Sequence, residues 1–385
     1  MRKTFLFVTG TMLALAAAAR AEEPLIALAA FNTTDMLANV QGGLARQGRV
    51  MNKLDVTASY MGDDHGHPGL QLFLNLQATT GANFSGKVVG DFQTISSIDA
   101  PAGGRVLNAW VAQEWDGLGG VKLGVMDLNA EFDVHQTGAL FVHSAHGIGT
   151  DFSQTGQNGP SIYPTMGLGA TAWWIPGEHW QFRAGLFEGA PGNPDHPGRT
   201  EFLFAQDEGA LIVAEARNRI TPNFSIIAGV WHYTASFDAL DSGNPRRIGG
   251  NSGFYVMADR VLYAAPDNER NNLSAYLRFG AADGRINSFD VTWSGGLVYT
   301  GLWDREADQI GLAFAYARQG SAARQAILAG GATPGSAETG LEAIYSFVVS
   351  EKLMIQPDLQ YVITPGGDAA IQNALVAGTR LILTW

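Results

Sequence analysis

The 385-residue sequence contains no cysteine, and only 16% of its residues are charged. Without cysteine a disulfide scaffold is excluded, so a chain of this length must hold itself together by packing. A soluble globular domain carries roughly 25% charged residues, and the shortfall needs a cause. After the first twenty residues no apolar stretch reaches the ~20 residues of a spanning helix without Gly, Pro or charge intervening. If this chain lies in a membrane, it must cross as strands. A transmembrane barrel also accounts for the missing charge, because every second residue of each strand faces lipid. Basic excess is lacking as well. The formal net charge is −12, and removing Arg2, Lys3 and Arg20 with a leader takes it to −15, which argues against a nucleic-acid partner.

The leader is itself legible. Arg2 and Lys3 precede an apolar and small-residue run from Phe5 to Ala19, and Ala19, Arg20 and Ala21 precede Glu22. Charge, short apolar core and a small-x-small site describe a secretory signal peptide over 1–21, with cleavage between Ala21 and Glu22.

From about Leu54 onward the sequence falls into segments of roughly ten residues with period-two alternation, separated by Gly, Asn, Asp and Pro, the repeated signature of a barrel. Between Leu353 and Thr364, Leu353, Ile355, Leu359, Tyr361 and Ile363 share one face, while Gln356, Asp358 and Gln360 share the other. Between Phe289 and Tyr299 an apolar face of Phe289, Val291, Trp293, Leu297 and Tyr299 opposes Asp290, Thr292, Ser294 and Gly296. One face suits lipid and the other water. Further strands are expected at 54–60, 70–77, 84–94, 105–116, 121–129, 167–175, 180–188, 201–220, 224–235, 254–264, 273–281, 310–318, 341–349 and 375–385, giving about 16. The expected fold is therefore all-β, a transmembrane antiparallel β-barrel over 54–385, preceded by a periplasmic segment over 22–53. No linker or internal repeat divides it. Trp173, Trp174, Trp180, Trp231, Tyr233, Tyr263 and Tyr299 stand where interfacial girdles are expected. Trp385 ends the last strand on an aromatic, the form of an outer-membrane assembly signal.

The longest stretch without strand character runs from Glu131 to Pro164. It contains Gly147, Ile148, Gly149, Thr150, Asp151, Phe152, Ser153 and Gln154, then Gly156, Gln157, Asn158, Gly159 and Pro160, and follows Asp127, Leu128, Asn129, Glu131, Phe132 and Asp133. This block resembles the corresponding region of the OprB-type carbohydrate-selective porins. So do Gly42, Gly43 and Leu44, the run Tyr276 to Phe279, Gly295 to Gly301, and Gln356 to Tyr361 followed by Pro365, Gly366, Gly367 and Asp368. The resemblance implies 16 strands, an inward-folded constriction loop, a bacterial outer-membrane location, and passive diffusion of mono- and oligosaccharides such as glucose, with no cofactor. The implied partners are permeating sugars, outer-membrane lipid and the assembly machinery; homotrimer and monomer both remain open.

A pore that prefers sugar needs donors and acceptors around its lumen and an apolar surface for the ring's C–H face, and it must bind weakly enough to release. Strand parity places Glu114, Arg183, Arg278, Glu342, Asp358 and Arg380 on the water-facing side, where charge is cheap. Asp127, Glu131 and Asp151 join them from the loop. His135, His143 and His146 crowd that loop and depart from the family's pattern. His65 and His67 beside Asp63 and Asp64 have ligand types, but occupy a turn and read as solvated. No HExxH, GxSxG or P-loop pattern occurs, so the chain is not expected to be an enzyme. A plugged barrel serving as adhesin or hydrolase, and a general or organic-acid-selective porin, are the rival readings.

Overall fold

A computed structural model describes residues 25–202, 207–240, 246–331 and 333–385. The leader and its Ala21/Glu22 cleavage site lie outside the described residues. Sixteen strands follow in chain order: β1 Ala27–Gln41, β2 Gly48–Met61, β3 Leu70–Thr79, β4 Gly103–Trp115, β5 Gly119–Met126, β6 Gly167–Trp174, β7 Trp180–Glu188, β8 Ala210–Thr221, β9 Phe224–Asp238, β10 Arg247–Ala265, β11 Asn268–Ala282, β12 Phe289–Thr300, β13 Gln309–Gln319, β14 Ala337–Ser350, β15 Leu353–Ile363 and β16 Ala374–Thr384. Each pairs antiparallel with its neighbours, and β16 pairs with β1, so the sheet closes into a barrel with no free edge. Closure satisfies every ladder bond within the wall, as a strand structure in lipid requires.

The period-two pattern governs which way each residue points. On β9, Ile226, Ala228 and Val230 are exposed outward while Ile227, Gly229 and Trp231 are buried inward. Leu72, Leu74 and Leu76 on β3 and Val121 and Leu123 on β5 are outward in the same way. The connections differ sharply between the two ends. At the end carrying the chain termini, turns such as 222–223, 266–267 and 351–352 are two residues long, whereas at the other end 80–102 and 127–166 are long loops. Exposed Trp115, Trp174, Trp180, Tyr263, Trp303 and Trp385 gather at the short-turn end, the placement of an interfacial belt.

Three expectations need correction. The segment 22–53 is not a separate periplasmic piece: β1 and the start of β2 occupy it. Its alternation was hidden because the inward partners on β1, among them Thr33, Asp35 and Asn39, are met by Asn32 and Thr34 on the outer face. The stretch 84–94 is not a strand. It holds a tight helical turn, Ser85–Val89, inside the barrel, and Phe84, Val88, Val89 and Ile95 are fully buried against Leu37, Met51, Val362 and Val376 of the wall. The strand total of 16 thus survives by exchange of one segment for the other. Finally, Trp173, Trp231 and Tyr233 are not girdle residues: β6 parity turns Trp173 inward beside Arg183, and β9 parity turns the other two inward, where they are 2% and 0% exposed.

The interior is filled chiefly by two loops from the long-loop end, 80–102 and 127–166. Phe152 of the second lies flat on Trp231, with ring centroids 5.1 Å apart and planes 2° from parallel. Phe132 meets Phe187 edge-on at 6.1 Å. Each such fully buried side chain contributes roughly 1.5–3 kcal/mol, enough in sum to hold the loops against the wall.

Candidate functional site

Loop 127–166 is tied to the inner wall by polar contacts made to residues of matching parity. Arg278 of β11 stands at the centre. Its Nε and Nη2 donate to Asp133 Oδ1 and Oδ2, each at 2.7 Å, and its Nη1 donates to Asp151 Oδ1 at 2.7 Å and Thr292 Oγ1 at 3.0 Å. Thr292 Oγ1 also donates to Asp151. The guanidinium is 1% exposed and each carboxylate 0%. Two glycines make room: a Cβ on Gly149 would fall 2.0 Å from Arg278 Nη1, and one on Gly280 2.1 Å from Asp151 Oδ2. A second contact begins where Asp133 N donates to Glu215 Oε2 of β8 at 3.0 Å, an oxygen that also accepts from Tyr255 Oη at 2.7 Å.

Farther round the wall, Glu342 of β14 accepts from the backbone N–H groups of Val142 at 2.7 Å and His143 at 3.1 Å. His146 Nε2 lies 3.4 Å from the same carboxylate, and its Nδ1 lies 2.6 Å from Tyr276 Oη. The imidazole thus stands between the Glu342 carboxyl group and the Tyr276 hydroxyl. Burial pushes the His146 pKa down, helped by neighbouring His143 and His135; burial lowers His143 to about 4, and burial, then the positive Arg278 and Arg217, lowers His135 to about 3. His135 stacks on Tyr276 with centroids 3.9 Å apart. The three histidines are parts of the loop's seating, held neutral, and the described residues contain no cluster able to hold a metal ion.

Loop 80–102 is seated by the same device. Glu338 of β14 accepts from the backbone of Phe92 and Gln93, both at 2.9 Å, and of Gly366 at 2.6 Å. Arg380 of β16 donates from Nε and Nη2 to Asp35 of β1 at 2.7 and 2.8 Å and from Nη2 to Ser97 Oγ at 3.1 Å; Ser96 Oγ donates to Asp35 at 2.6 Å. Asp358 of β15 accepts from Gln360 at 2.7 Å and is buried.

A different arrangement occupies β4 to β8. Glu131 binds Lys122 of β5, accepts from Thr171 Oγ1 of β6 at 3.0 Å, and lies 3.7 Å from Arg183 of β7, whose Nη1 donates to the Glu131 carbonyl at 2.7 Å. Burial pushes the Glu131 carboxyl up, but Lys122 and Arg183 more than reverse it and hold it below the usual carboxylate range. Lys122 sits 4.3 Å over the Trp110 ring, and Trp173 is the register partner of Arg183. Next to them Gln181 pairs in register with Arg217, whose Nη2 donates to the Val134 carbonyl at 3.1 Å. Lys122, Trp110, Trp173, Gln181, Arg183 and Arg217 are all partly exposed. Glu114, also partly exposed, stands near the short-turn end, 3.4 Å from Gln71 Nε2. Asp127 caps its own turn by accepting from Asn129 N at 2.8 Å, while burial pushes its carboxyl up to about 6.

All six wall residues read from parity point inward, yet they do not form one site. Arg278, Glu342 and Arg380 are spent on seating the two loops, as are Asp151 and Asp133; Arg183 and Glu131 belong to the partly open cluster. Lys122 and Arg217 were missed although outward Val121, Leu123, Ile212 and Ile220 flank them at the correct spacing. Asp35 was hidden in the segment read as periplasmic.

The profile of the carbohydrate-selective porin, OprB family, matches residues 44–385. Porin B of Pseudomonas aeruginosa is 23% identical over 367 residues, covering 82% of this chain and 79% of that protein. Among solved structures, the high-pH form of Pseudomonas putida OprB superposes with a TM-score of 0.82 at 21% identity, covering 94% of each chain. Its low-pH form gives 0.57 at 17% identity, over 94% of this chain and 92% of that one. A triple mutant of Rhodopseudomonas blastica porin gives 0.55 at 10% identity, over 94% and 100%.

Proposed function

The chain belongs to the carbohydrate-selective porin, OprB family, a family of outer-membrane channels and not of enzymes, and on that premise we propose that it lets mono- and oligosaccharides such as glucose diffuse passively across a bacterial outer membrane. The observation that carries this reading is the loop 127–166, held inside the lumen by Arg278 and Glu342 while Arg183 and Lys122, both engaged by buried Glu131, stay partly exposed beside Trp110 and Trp173. A narrowed lumen sieves by size, and this cluster offers charged donors and aromatic faces for a sugar's hydroxyls and C–H surface. Arg183 and Glu114 contact the passing sugar, with Glu131 holding Lys122 and Arg183 in place from beneath; Arg278, Asp151, Glu342, Asp358 and Arg380 shape the constriction, and Asp127 braces the loop's entry.

The leader over 1–21 exports the chain and is cut between Ala21 and Glu22. Trp385 serves the assembly machinery: it is exposed, and its backbone exchanges hydrogen bonds of 3.0 and 3.2 Å with Ala30 where the barrel closes. Deleting Trp385 should lower outer-membrane yield far more than replacing Asp63 in a turn. Equal yields would remove that role.

Single-channel current with graded sugars tests the pore itself. Glucose should block the open current reversibly, and permeation should fall with sugar size. A barrel that carries no ions is a plug. A second reading, uptake of small organic anions, draws on Lys122, Arg183, Arg217 and Arg219, which share the inner face of β5, β7 and β8. Reversal potentials decide it: strong anion preference without sugar block would replace the carbohydrate reading.

A further inference from the structure

A cation on the inner wall lacks a counter-charge. Arg217 faces inward on β8, one inward step nearer the short-turn end than Glu215. Its one hydrogen bond among the described residues runs from Nη2 to the Val134 carbonyl at 3.1 Å. Its Nε is buried without an acceptor, and so is Nε2 of Gln181, the residue opposite it on β7. The two carboxylates that face Arg217 are committed elsewhere. Glu215 Oε2 accepts from Tyr255 Oη at 2.7 Å and Asp133 N at 3.0 Å, and Asp259 accepts from Thr137 Oγ1 at 2.7 Å and Thr137 N at 3.1 Å.

A guanidinium taken partly out of water without a counter-charge is costly, and other cations of this lumen avoid that state. Arg278 has Asp133 and Asp151, Arg380 has Asp35, and Arg183 and Lys122 share Glu131. Arg105 has no carboxylate but donates to Thr79 Oγ1 and to the carbonyls of Pro101 and Pro197, each at 2.8 Å. Arg217 has neither solution. The wall beside it offers further groups. Register sets Arg183 across from Glu215 and Gln181 across from Arg217, so Arg183 and Arg217 are diagonal neighbours roughly 7–8 Å apart. Trp173, across from Arg183 on β6, adds an aromatic face, and all four of these side chains are partly exposed.

We propose that Arg217 and Gln181 form a carboxylate subsite on the lumen wall, and that the solutes this pore prefers are sugars carrying a carboxylate, such as hexuronic acids. The inference rests on the sugar-pore reading and adds the charge of the solute to it. A planar guanidinium edge meets a carboxylate in two parallel bonds, and the Gln181 amide supplies a further donor. With the carboxylate held there, the ring lies along the wall toward Trp173 and its hydroxyls reach Arg183. That spacing selects a sugar acid over a simple organic anion, which fills one end of the site and leaves Arg183 and Trp173 unused. Partial exposure to water keeps the binding weak enough for release.

The test is block of single-channel current through the full mature barrel by glucose, glucuronate, the methyl ester of glucuronate and glycolate, at constant ionic strength. Glucuronate should block at about tenfold lower concentration than glucose, the gain expected from charge-assisted bonds. The neutral ester should block like glucose, and glycolate, a carboxylate without a ring, should block weakly. Arg217→Gln should bring the ratio of glucuronate to glucose block toward one. Gln181→Leu should lower the same ratio in part, and because Gln181 makes no hydrogen bond to the loop it serves even where Arg217→Gln loosens the constriction. Glucuronate no better than glucose, in a pore that glucose blocks, overturns this inference and leaves the sugar reading in place. A pore that neither of them blocks overturns both. Glycolate matching glucuronate also overturns the inference, as does a ratio that both substitutions leave unchanged.

Discussion

The wall from β11 round to β1 and the wall from β5 to β8 carry the same kinds of charge on the same inward parity, yet they are used oppositely. On the first, Arg278, Glu338, Glu342 and Arg380 lie under loops 80–102 and 127–166 and are saturated by carboxylates or backbone N–H groups. On the second, Lys122, Arg183 and Arg217 flank the loop's edge and keep part of their surface in water. Facing the lumen is therefore not the same as meeting the solute. A buried charge on the first wall works as a fastener, while a partly exposed one on the second is available to hydroxyls.

The strongest way to break the contrast is Arg278→Ala. Removing one partner of a buried pair leaves Asp133 and Asp151 uncompensated, which costs about 3–5 kcal/mol. Protease cleavage within 127–166 should rise, ion conductance should increase and sugar block should fade, all together. If the loop stays protected and conductance is unchanged, Arg278 is not a fastener.

Arg183→Ala sharpens the same comparison from the other side. Losing charge-assisted bonds to sugar should weaken glucose block by about 1–3 kcal/mol, while the unfolding midpoint moves little. Arg380→Ala should do the reverse, lowering the midpoint by loosening loop 80–102 while weakening glucose block less than Arg183→Ala does. Exchange of those two outcomes would mean that the walls have been assigned backwards.

The smallest effect concerns pH. His135 and His143 have pKa values lowered to about 3 and about 4, whereas in the unfolded chain they titrate near the ordinary value of 6.5. As pH falls below roughly 6.5 the unfolded chain takes up protons first, so this contribution to stability is complete above that pH and is lost toward pH 4. Burial of Asp127 and Asp91, raised to about 6 and about 8, acts with the opposite sign. The difference between wild type and His143→Asn isolates the histidine, because asparagine can still accept from Ala145 N. The variant's unfolding midpoint should depend less on acidification between pH 7.5 and 5. Parallel curves would show that His143 takes up its proton as readily in the folded loop as in the unfolded chain.

Much of the wall was legible. Outward Leu359 and Leu341 beside inward Asp358 and Glu342 follow from alternation alone, and so does the direction of Arg183, Arg278 and Arg380. The strand β1 escaped because Asn32, Thr34 and Asp35 put polar groups on both its faces, which erases the alternation. The run 84–94 imitated a strand because Phe84, Val88 and Val89 are apolar for a different reason: they enter the barrel and pack on its inner wall.

Period-two alternation, low charge and scattered turn residues determine by themselves that this chain forms a barrel and which way most wall residues face, because side-chain direction along a strand is a local property. Which inward charges touch water was decided only by the tertiary structure. That depends on where two loops, far from their partners in sequence, come to rest. The separation is 145 residues between Asp133 and Arg278 and 245 between Gln93 and Glu338, and no local period encodes a contact across such a distance.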